Sequence, residues 1–244
     1  MPNRKSNKSD LKERIVITGS KGNIGTVLKE GLTDFVITTV DLPERDVRDY
    51  QRLIEVFPGH EAVVHLAWNS KTENLLNNRI DPDNAAMYRN VYAAALTVGI
   101  PRVIMASSIH ADTFYLPRGE RILSPYDPPH PDSPYGKDKV LMEELGREYA
   151  QKGLEVICIR FGGISAATNK PPAVENPESL MQVAERAAWL SHGDAVGLVG
   201  KCLNAEKVPG NFAIVYGVSD NLGRVHDTSN PFGWQPVDNA EDVR

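Results

Sequence analysis

The sequence predicts an α/β protein with a doubly wound, mostly parallel sheet and helices on both faces. An apolar run at 15–17 leads into the turn Thr18-Gly19-Ser20-Lys21-Gly22-Asn23-Ile24-Gly25, and a helical pattern follows at 27–32. Further β-branched runs alternate with helical patterns along the chain, which is typical of βαβ units. Asp41 directly follows the second β-branched run, about 20 residues after the glycine turn. These three observations favour a fold of the Rossmann type.

Composition limits the classes of function. The 244 residues are 41% hydrophobic and 24% charged, as in ordinary globular proteins, and the net charge of −5 gives no basic footprint for nucleic acid. No apolar run reaches the ~20 residues that span a membrane. Cys158 and Cys202 lie in apolar stretches, so we expect buried thiols in a reducing cytoplasm rather than a disulfide or a metal pair.

We expect residues 1–12 to form a disordered leader, because they are polar and lysine-rich, and residues 13–244 to form a single domain. Within that domain, 13–160 is the predicted dinucleotide-binding core with the catalytic residues. Residues 161–244 would supply a small C-terminal part for substrate binding and capping.

The glycine turn has the features of a pyrophosphate site. Gly19 permits the sharp turn, Gly22 leaves the backbone open to a phosphate, and Gly25 allows close packing of the helix. The first N–H groups of that helix lack intrahelical partners and face an anion. The spacing GxxGxxG alone is weak evidence, so the downstream residues carry the interpretation.

Asp41 favours NAD over NADP, because a carboxylate there accepts hydrogen bonds from the adenosine ribose and repels a 2′-phosphate. Two alternatives stay open: Asp41 can be a turn or capping residue, and Arg45 can hold a 2′-phosphate. Little chain separates Asp41 from Asp46 and Val47, so we expect the third strand of the usual fold to be vestigial.

The remaining elements follow in order. We predict a strand at 60–67 that is buried on both faces, in which His65 is a packed, hydrogen-bonded residue rather than a ligand or base. Ser191 and Asp194 look like a helix cap rather than metal or relay residues. Trp234 should anchor the C-terminal segment in the core. The predicted helices are 49–57, 82–98, 135–152, 180–190 and 194–204, and the other predicted strands are 35–40, 102–106, 155–160 and 212–216.

Tyr135 and Lys139 lie one helical turn apart, on one face of a predicted helix. Oxidation of an alcohol by nicotinamide needs a base at the alcohol oxygen, and tyrosine has an ordinary pKa of about 10. A lysine ammonium beside the phenol lowers that pKa by stabilising the phenolate. Ser108, at the end of the preceding strand, is placed to orient the substrate oxygen. The three residues form a coherent catalytic set.

The chain resembles the extended short-chain dehydrogenases/reductases, the NAD-dependent epimerase/dehydratase superfamily. Within them it is most similar to uronate dehydrogenases and related archaeal sugar dehydrogenases. The superfamily motifs are TGxxGxxG at 18–25, HLA at 65–67, ASS at 106–108 and YxxxK at 135–139. The subfamily motifs are ASSIH at 106–110, WLSHGD at 189–194, VYGVSDN at 215–221 and GWQPxDNA at 233–240, of which the last three are distinctive. The resemblance covers roughly residues 14–244.

The resemblance implies oxidation of the anomeric C1 hydroxyl of a sugar acid to a lactone, with NAD as hydride acceptor. It makes Ser108 and Tyr135 the groups that bracket the reacting oxygen, with Lys139 behind Tyr135. It assigns substrate contacts to Ser70 and His110. The assigned cofactor-binding residues are Gly19, Lys21, Gly22, Asn23, Ile24, Gly25, Asp41, Asp46, Val47, Leu66, Ala67, Trp68, Tyr135 and Lys139.

Three positions depart from the uronate dehydrogenase pattern. Ile109 replaces an asparagine, Gly163 replaces a polar residue, and Ala184 replaces an arginine. Arg186 lies nearby, and whether it substitutes is open; without it the case for a carboxylate substrate weakens. We count Ile109, Gly163 and Arg186 among the candidate substrate contacts and leave the choice between a small sugar and a uronic acid open.

The short C-terminal part argues against a large nucleotide-sugar cap and favours a small sugar or sugar acid. The irregular segment 165–178 is either a lid or a surface loop. Two other functions remain open: a sugar epimerase, dehydratase or carbonyl reductase of the same superfamily, and an NAD-sensing protein without turnover. By analogy with the family we expect a homo-oligomer.

Overall fold

The computed structural model describes residues 12–69, 73–112 and 122–243. Six parallel strands form one sheet in the order β2-β1-β3-β4-β5-β6. The strands are β1 (Arg14–Thr18), β2 (Val36–Val40), β3 (Ala62–His65), β4 (Arg102–Ser108), β5 (Glu155–Phe161) and β6 (Phe212–Gly217). The predicted doubly wound sheet is confirmed.

Helices cover both faces of this sheet. They are α1 (Asn23–Gly31), α2 (Tyr50–Val56), α3 (Glu73–Leu76), α4 (Pro82–Val98), α5 (Pro134–Ala150), α6 (Leu180–Ala187) and α7 (His192–Leu203). On one face α1 packs against α7, and on the other α4 packs against α2 and α5. Each face has its own apolar core cluster, so the sheet is buried on both sides.

Side-chain caps explain where several helices begin. Asp81 caps α4 and is followed by Pro82, a residue suited to the first helical turn. Ser133 caps α5 in the same way and is followed by Pro134. The Ser191 hydroxyl accepts from the Asp194 amide at 3.0 Å, which confirms that this motif is a helix cap.

The third strand of the usual fold is missing between β2 and α2, where the described residues 41–49 form no strand. The prediction of a vestigial strand is therefore correct, and the sheet ends at β2. As a result the carboxyl end of β2 borders an open groove.

Other expectations about the core hold as well. Cys158 and Cys202 are free, buried thiols, and Trp234 is buried against the cluster under α1 and α7. Within the described ranges, no helix is long and apolar enough to cross a membrane. The predicted leader at 1–12 lies outside the described residues except for its last member.

Candidate functional site

The glycine turn brings the ends of β1 and β3 into close backbone contact. Gly19 has φ +69°, and a Cβ there would lie 2.5 Å from the Ala67 amide nitrogen. A Cβ on Gly25 would lie 2.4 Å from the Gly19 carbonyl oxygen, so the glycine lets α1 approach the turn itself. Gly22 precedes α1 without a side-chain cap, which leaves the first amides of α1 available to an anion.

A groove of about 350 Å³ opens beside this turn, at the carboxyl ends of β1, β2 and β3. We call it the dinucleotide groove. Its wall includes eight predicted cofactor residues: Gly19, Gly22, Asp41, Asp46, Val47, Leu66, Ala67 and Trp68. Open α/β sheets bind nucleotides at such an edge. The glycine cradle and the helix N-terminus fit the pyrophosphate of a dinucleotide.

Asp41 lies at the end of the groove nearest β2. One carboxylate oxygen accepts from the Ser20 hydroxyl at 2.6 Å and from the Lys21 amide at 3.0 Å. These bonds tie the carboxylate to the glycine turn. The interpretation of Asp41 as a turn residue and the interpretation as a ribose ligand are therefore compatible.

Four charged side chains beside Asp41 already have hydrogen-bond or ion-pair partners within the protein. Lys21 reaches the Leu42 carbonyl at 2.7 Å, and Arg45 donates to the Thr39 carbonyl at 2.7 Å. Arg48 holds the Asp46 carboxylate at 2.7 Å, and this hydrogen bond lowers the pKa of Asp46. Neither Asp46 nor Arg45 is therefore a free ionic group.

Other predicted cofactor residues at the glycine turn contact neighbouring parts of the fold. The Asn23 side chain accepts from the Ala166 amide at 3.2 Å, which connects the start of α1 to the segment after β5. Ile24 packs against the apolar cluster on that face of the sheet. Lys21, Asn23, Ile24 and Gly25 do not form part of the groove wall.

Ser108, Tyr135 and Lys139 come together beyond the groove. Ser108 ends β4, and Tyr135 and Lys139 lie in the first two turns of α5, which packs against β4. The Lys139 ammonium donates to the Ala106 carbonyl at 2.6 Å and lies 3.5 Å from the centre of the Trp68 ring. Lys139 is 3% exposed, so this cation is surrounded by protein.

The pKa of Tyr135 differs from the sequence-based expectation. Burial raises the pKa of the phenol, and a hydrogen bond with Ser108 offsets part of that rise. The Lys139 ammonium lies 5.4 Å from the centre of the Tyr135 ring and does not lower its pKa in this arrangement. Burial also lowers the pKa of Lys139 to about 7. Desolvation dominates both groups, and the spacing YxxxK could not reveal it.

His65 is a packed strand residue, as predicted. Its Nδ1 lies 2.7 Å from the Thr18 hydroxyl, and burial together with the Lys139 charge lowers its pKa to about 3. The imidazole is therefore neutral. Asp138, beside Lys139, is also buried, and burial raises its pKa to about 6.

A second cavity, of about 340 Å³, opens on the other side of Ser108, and we call it the serine pocket. Its wall includes three of the predicted substrate contacts, Ile109, His110 and Gly163, together with Pro172, Glu185 and Ala188. Tyr135 lies between the two cavities: its ring meets Trp68 of the dinucleotide groove edge-on at 5.5 Å and His110 of the serine pocket at 5.7 Å. The His110 ring is fixed by Asp132 at 2.8 Å.

Arg186 does not line the serine pocket. Its guanidinium donates to the Glu241 carboxylate at 2.7 Å, to the Ala240 carbonyl at 2.6 Å and to the Pro172 carbonyl at 3.0 Å. The side chain thus holds the C-terminal segment instead of facing the cavity. Ser70, the other predicted substrate contact, lies outside the described residues.

The segment 165–178 is irregular and attached at several points. The Asn169 side chain accepts from the His192 amide at 2.8 Å, and the His192 ring lies 2.7 Å from the Ser165 carbonyl. Pro172 joins it to Arg186 and lines the serine pocket. Pro172 is therefore the residue of this segment that lies in the pocket wall, while the role of the segment as a lid stays a prediction.

A buried polar network beneath Ser107 and Ser108 was not predicted from the sequence. Arg160, 1% exposed, makes two bonds of 2.9 and 2.8 Å to the Glu143 carboxylate, which also accepts from the Ser107 hydroxyl at 2.5 Å. Arg160 also donates to the Tyr216 hydroxyl at 3.1 Å. The network fixes Ser107, the neighbour of Ser108. The signal in the sequence was an arginine inside an otherwise apolar strand.

Comparisons with known proteins identify the family of the chain. Residues 15–188 match the NAD dependent epimerase/dehydratase family. L-arabinose 1-dehydrogenase (NAD(P)(+)) of Haloferax volcanii is 34% identical over 253 residues, which cover 94% of this chain and 98% of that protein. Uronate dehydrogenase of Agrobacterium fabrum is 30% identical over 249 residues, which cover 95% and 87%.

Solved structures show the same likeness. A crystal structure of uronate dehydrogenase from Agrobacterium tumefaciens, a mutant complexed with NAD, matches with a TM-score of 0.77 at 27% identity and covers 94% of this chain and 86% of that one. Glucuronic acid dehydrogenase from Chromohalobacter salexigens matches with 0.78 at 25% identity and covers 95% and 87%. The resemblance drawn from the motifs is confirmed.

Proposed function

The chain belongs to the NAD dependent epimerase/dehydratase family, and from this premise we propose that it oxidises the C1 hydroxyl of a small sugar to a lactone. The observation that carries the proposal is the position of Tyr135 between the dinucleotide groove and the serine pocket. A base at that point can take a proton from a hydroxyl in the pocket while hydride leaves toward the groove. The chain is thus an NAD-dependent oxidoreductase.

Ser108 and Tyr135 have complementary roles in this proposal. The Ser108 hydroxyl hydrogen-bonds Tyr135 and orients the substrate oxygen beside it. Tyr135 takes the hydroxyl proton as the C–H bond breaks. Because burial raises its pKa, Tyr135 needs a positive charge nearby to act close to neutral pH.

Lys139 places a cation on the same face of α5, where the Ala106 carbonyl and the Trp68 ring hold its ammonium, but in this arrangement it does not offset the raised pKa of Tyr135. When bound, NAD would supply the hydride acceptor and the positive charge of its nicotinamide ring. The glycine turn and the first amides of α1 would hold the pyrophosphate, and Asp41 would accept from the adenosine ribose.

The Tyr135→Phe substitution tests the assigned base. We expect turnover with NAD and a neutral sugar, followed by NADH absorbance, to fall by at least about 100-fold, since general-base catalysis contributes about 10²–10⁴-fold. Calorimetry should give an unchanged Kd for NAD, because Tyr135 does not line the dinucleotide groove. Full activity of the variant would refute the assignment.

Asp41 carries the proposed preference for NAD over NADP. Its negative charge repels a 2′-phosphate, while Arg45 and Arg48 are engaged by Thr39 and Asp46. The Asp41→Ser substitution should lower the ratio of kcat/KM with NAD to kcat/KM with NADP by about tenfold or more. A tenfold change in this ratio corresponds to about 1.4 kcal/mol of discrimination between the two cofactors. An unchanged ratio would show that another group selects the cofactor.

A homo-oligomer and a cytoplasmic location are further proposals. Leu96 of α4 and Leu141 of α5 are partly exposed on adjacent helices, which supports pairing with a second copy of the chain. Light scattering of the purified protein would test the assembly, and a monomeric mass across the working concentration range would contradict it. The reduced, buried cysteines support a reducing compartment.

A further inference from the structure

We propose that Glu185 makes the serine pocket select neutral sugars and reject uronic acids. The inference rests on the proposed sugar oxidation and names the substrate class of the same site. Glu185 lies on α6, three residues before Ala188, so the two side chains share one face of the helical turn. That face lines the serine pocket.

The carboxylate of Glu185 is available to a ligand. Glu185 is partly buried, and among the described residues its side chain makes no hydrogen bond and no ion pair. The adjacent Arg186 points elsewhere, with its guanidinium bonded to Glu241, Ala240 and Pro172. Within the described part of the chain, the candidate cation Arg186 therefore lies outside the pocket wall, and the carboxylate-bearing Glu185 lies in it.

The rest of the described wall does not compensate for this charge. Apart from Glu185, the titratable side chain that lines the pocket is His110, whose ring is bonded to Asp132. Ile109, Pro172 and Ala188 are apolar, and Gly163 contributes only backbone. A sugar carboxylate in this pocket would therefore meet a like charge at short range in a partly desolvated site.

The same carboxylate suits a neutral sugar. Its two oxygens accept hydrogen bonds, and the vicinal hydroxyls of an aldose are donors that can satisfy both of them. Ser108 and Glu185 border one cavity of about 340 Å³, so a pyranose with its C1 hydroxyl at Ser108 can present its other hydroxyls to Glu185. Attraction of hydroxyls and repulsion of a carboxylate then act together.

The test compares D-galactose with D-galacturonate, which differ only in the group at C6. The full-length protein should give a higher kcat/KM for galactose. In the Glu185→Gln variant, which keeps size and hydrogen bonding but removes the charge, the ratio of galactose to galacturonate kcat/KM should fall by at least about tenfold. The matched control Glu178→Gln removes an exposed carboxylate outside the pocket wall and should leave the ratio unchanged.

A binding measurement separates this inference from the proposed reaction. In a Tyr135→Phe background, with NAD present, calorimetry gives the Kd of both sugars without turnover. Stronger binding of galactose that depends on Glu185 supports the inference even if no NADH forms with the unsubstituted protein. Preference for galacturonate, an unchanged ratio in Glu185→Gln, or binding of neither sugar would overturn it.

Discussion

Replacing Glu143 by Gln should destabilise the protein strongly, because it leaves the buried Arg160 cation with only the more distant Asp112 carboxylate, at 3.9 Å, as counter-ion. Arg160 and Glu143 are 1% and 3% exposed, and the Glu143 carboxylate accepts three hydrogen bonds. Breaking a buried pair on one side costs about 3–5 kcal/mol. At about 2–4 °C per kcal/mol for a chain of this size, Tm should fall by about 10 °C.

Two controls show whether burial of the charge is the cause. Glu55→Gln removes an equally short ion pair, Arg52–Glu55 at 2.7 Å, whose side chains are 44% and 63% exposed. Such surface pairs contribute less than about 1 kcal/mol, so its Tm should hardly change. The double variant Glu143→Leu/Arg160→Met removes both charges of this pair, while Asp112 keeps its hydrogen bond from the Tyr216 hydroxyl, and it should recover at least half of the loss.

Urea unfolding followed by circular dichroism measures the stability of each variant. The single variants Glu143→Leu and Arg160→Met complete a double-mutant cycle with the double variant and the unsubstituted protein, and this cycle gives the coupling energy between Glu143 and Arg160. We expect a coupling of about 2 kcal/mol or more. A loss below about 1 kcal/mol in Glu143→Gln, or a double variant less stable than Glu143→Gln, would refute the reasoning.

Three further predictions follow from single contacts. Gly19→Ala should weaken NAD binding by about tenfold or more in calorimetry, because its Cβ would lie 2.5 Å from the Ala67 amide nitrogen. The control Gly59→Ala has a similar φ of +77° and no atom within 4 Å of its Cβ, so it should leave NAD binding unchanged, and equal effects of the two substitutions would contradict the prediction. Burial lowers the pKa of His226 to about 4, so as pH drops from about 6.5 to 4 the unfolded chain takes up the proton first and stability falls. His226→Leu should reduce that fall by up to about 3 kcal/mol, and pH profiles of Tm that run parallel for the variant and the unsubstituted protein would contradict the prediction. Burial raises the pKa of Asp138 to about 6, so stability decreases as pH rises through the range between its ordinary pKa and 6; Asp138→Asn should raise Tm at pH 7 but not at pH 4, and no gain at pH 7 would refute the linkage.

The features that sequence predicts well are those that depend on neighbouring residues. The glycine turn is local, and the structure gives it the expected contacts at Gly19 and Gly25. Helix α4 was predicted with its observed ends. In the structure the Asp81 cap and Pro82 define its start, and Gly99, with φ +78°, defines its end. The missing third strand followed from the short chain after Asp41.

The features that sequence could not predict depend on long-range packing. The Arg160–Glu143 pair requires β5 to lie against α5, which no local pattern specifies. The helical phase of α6 decides that Glu185, rather than Arg186, faces the serine pocket. Likewise, the pKa of Tyr135 depends on how deeply its hydroxyl is buried, and burial is not a property of the YxxxK spacing.

The most direct test of the central claim is to follow the hydrogen on C1. Galactose deuterated at C1 is incubated with NAD and the protein, and both products are analysed by mass spectrometry. Oxidation at C1 predicts one deuterium in the reduced cofactor and none in the lactone. Reduced cofactor without deuterium would place the reaction at another carbon, and recovery of an epimerised sugar without net NADH would contradict the proposed oxidation.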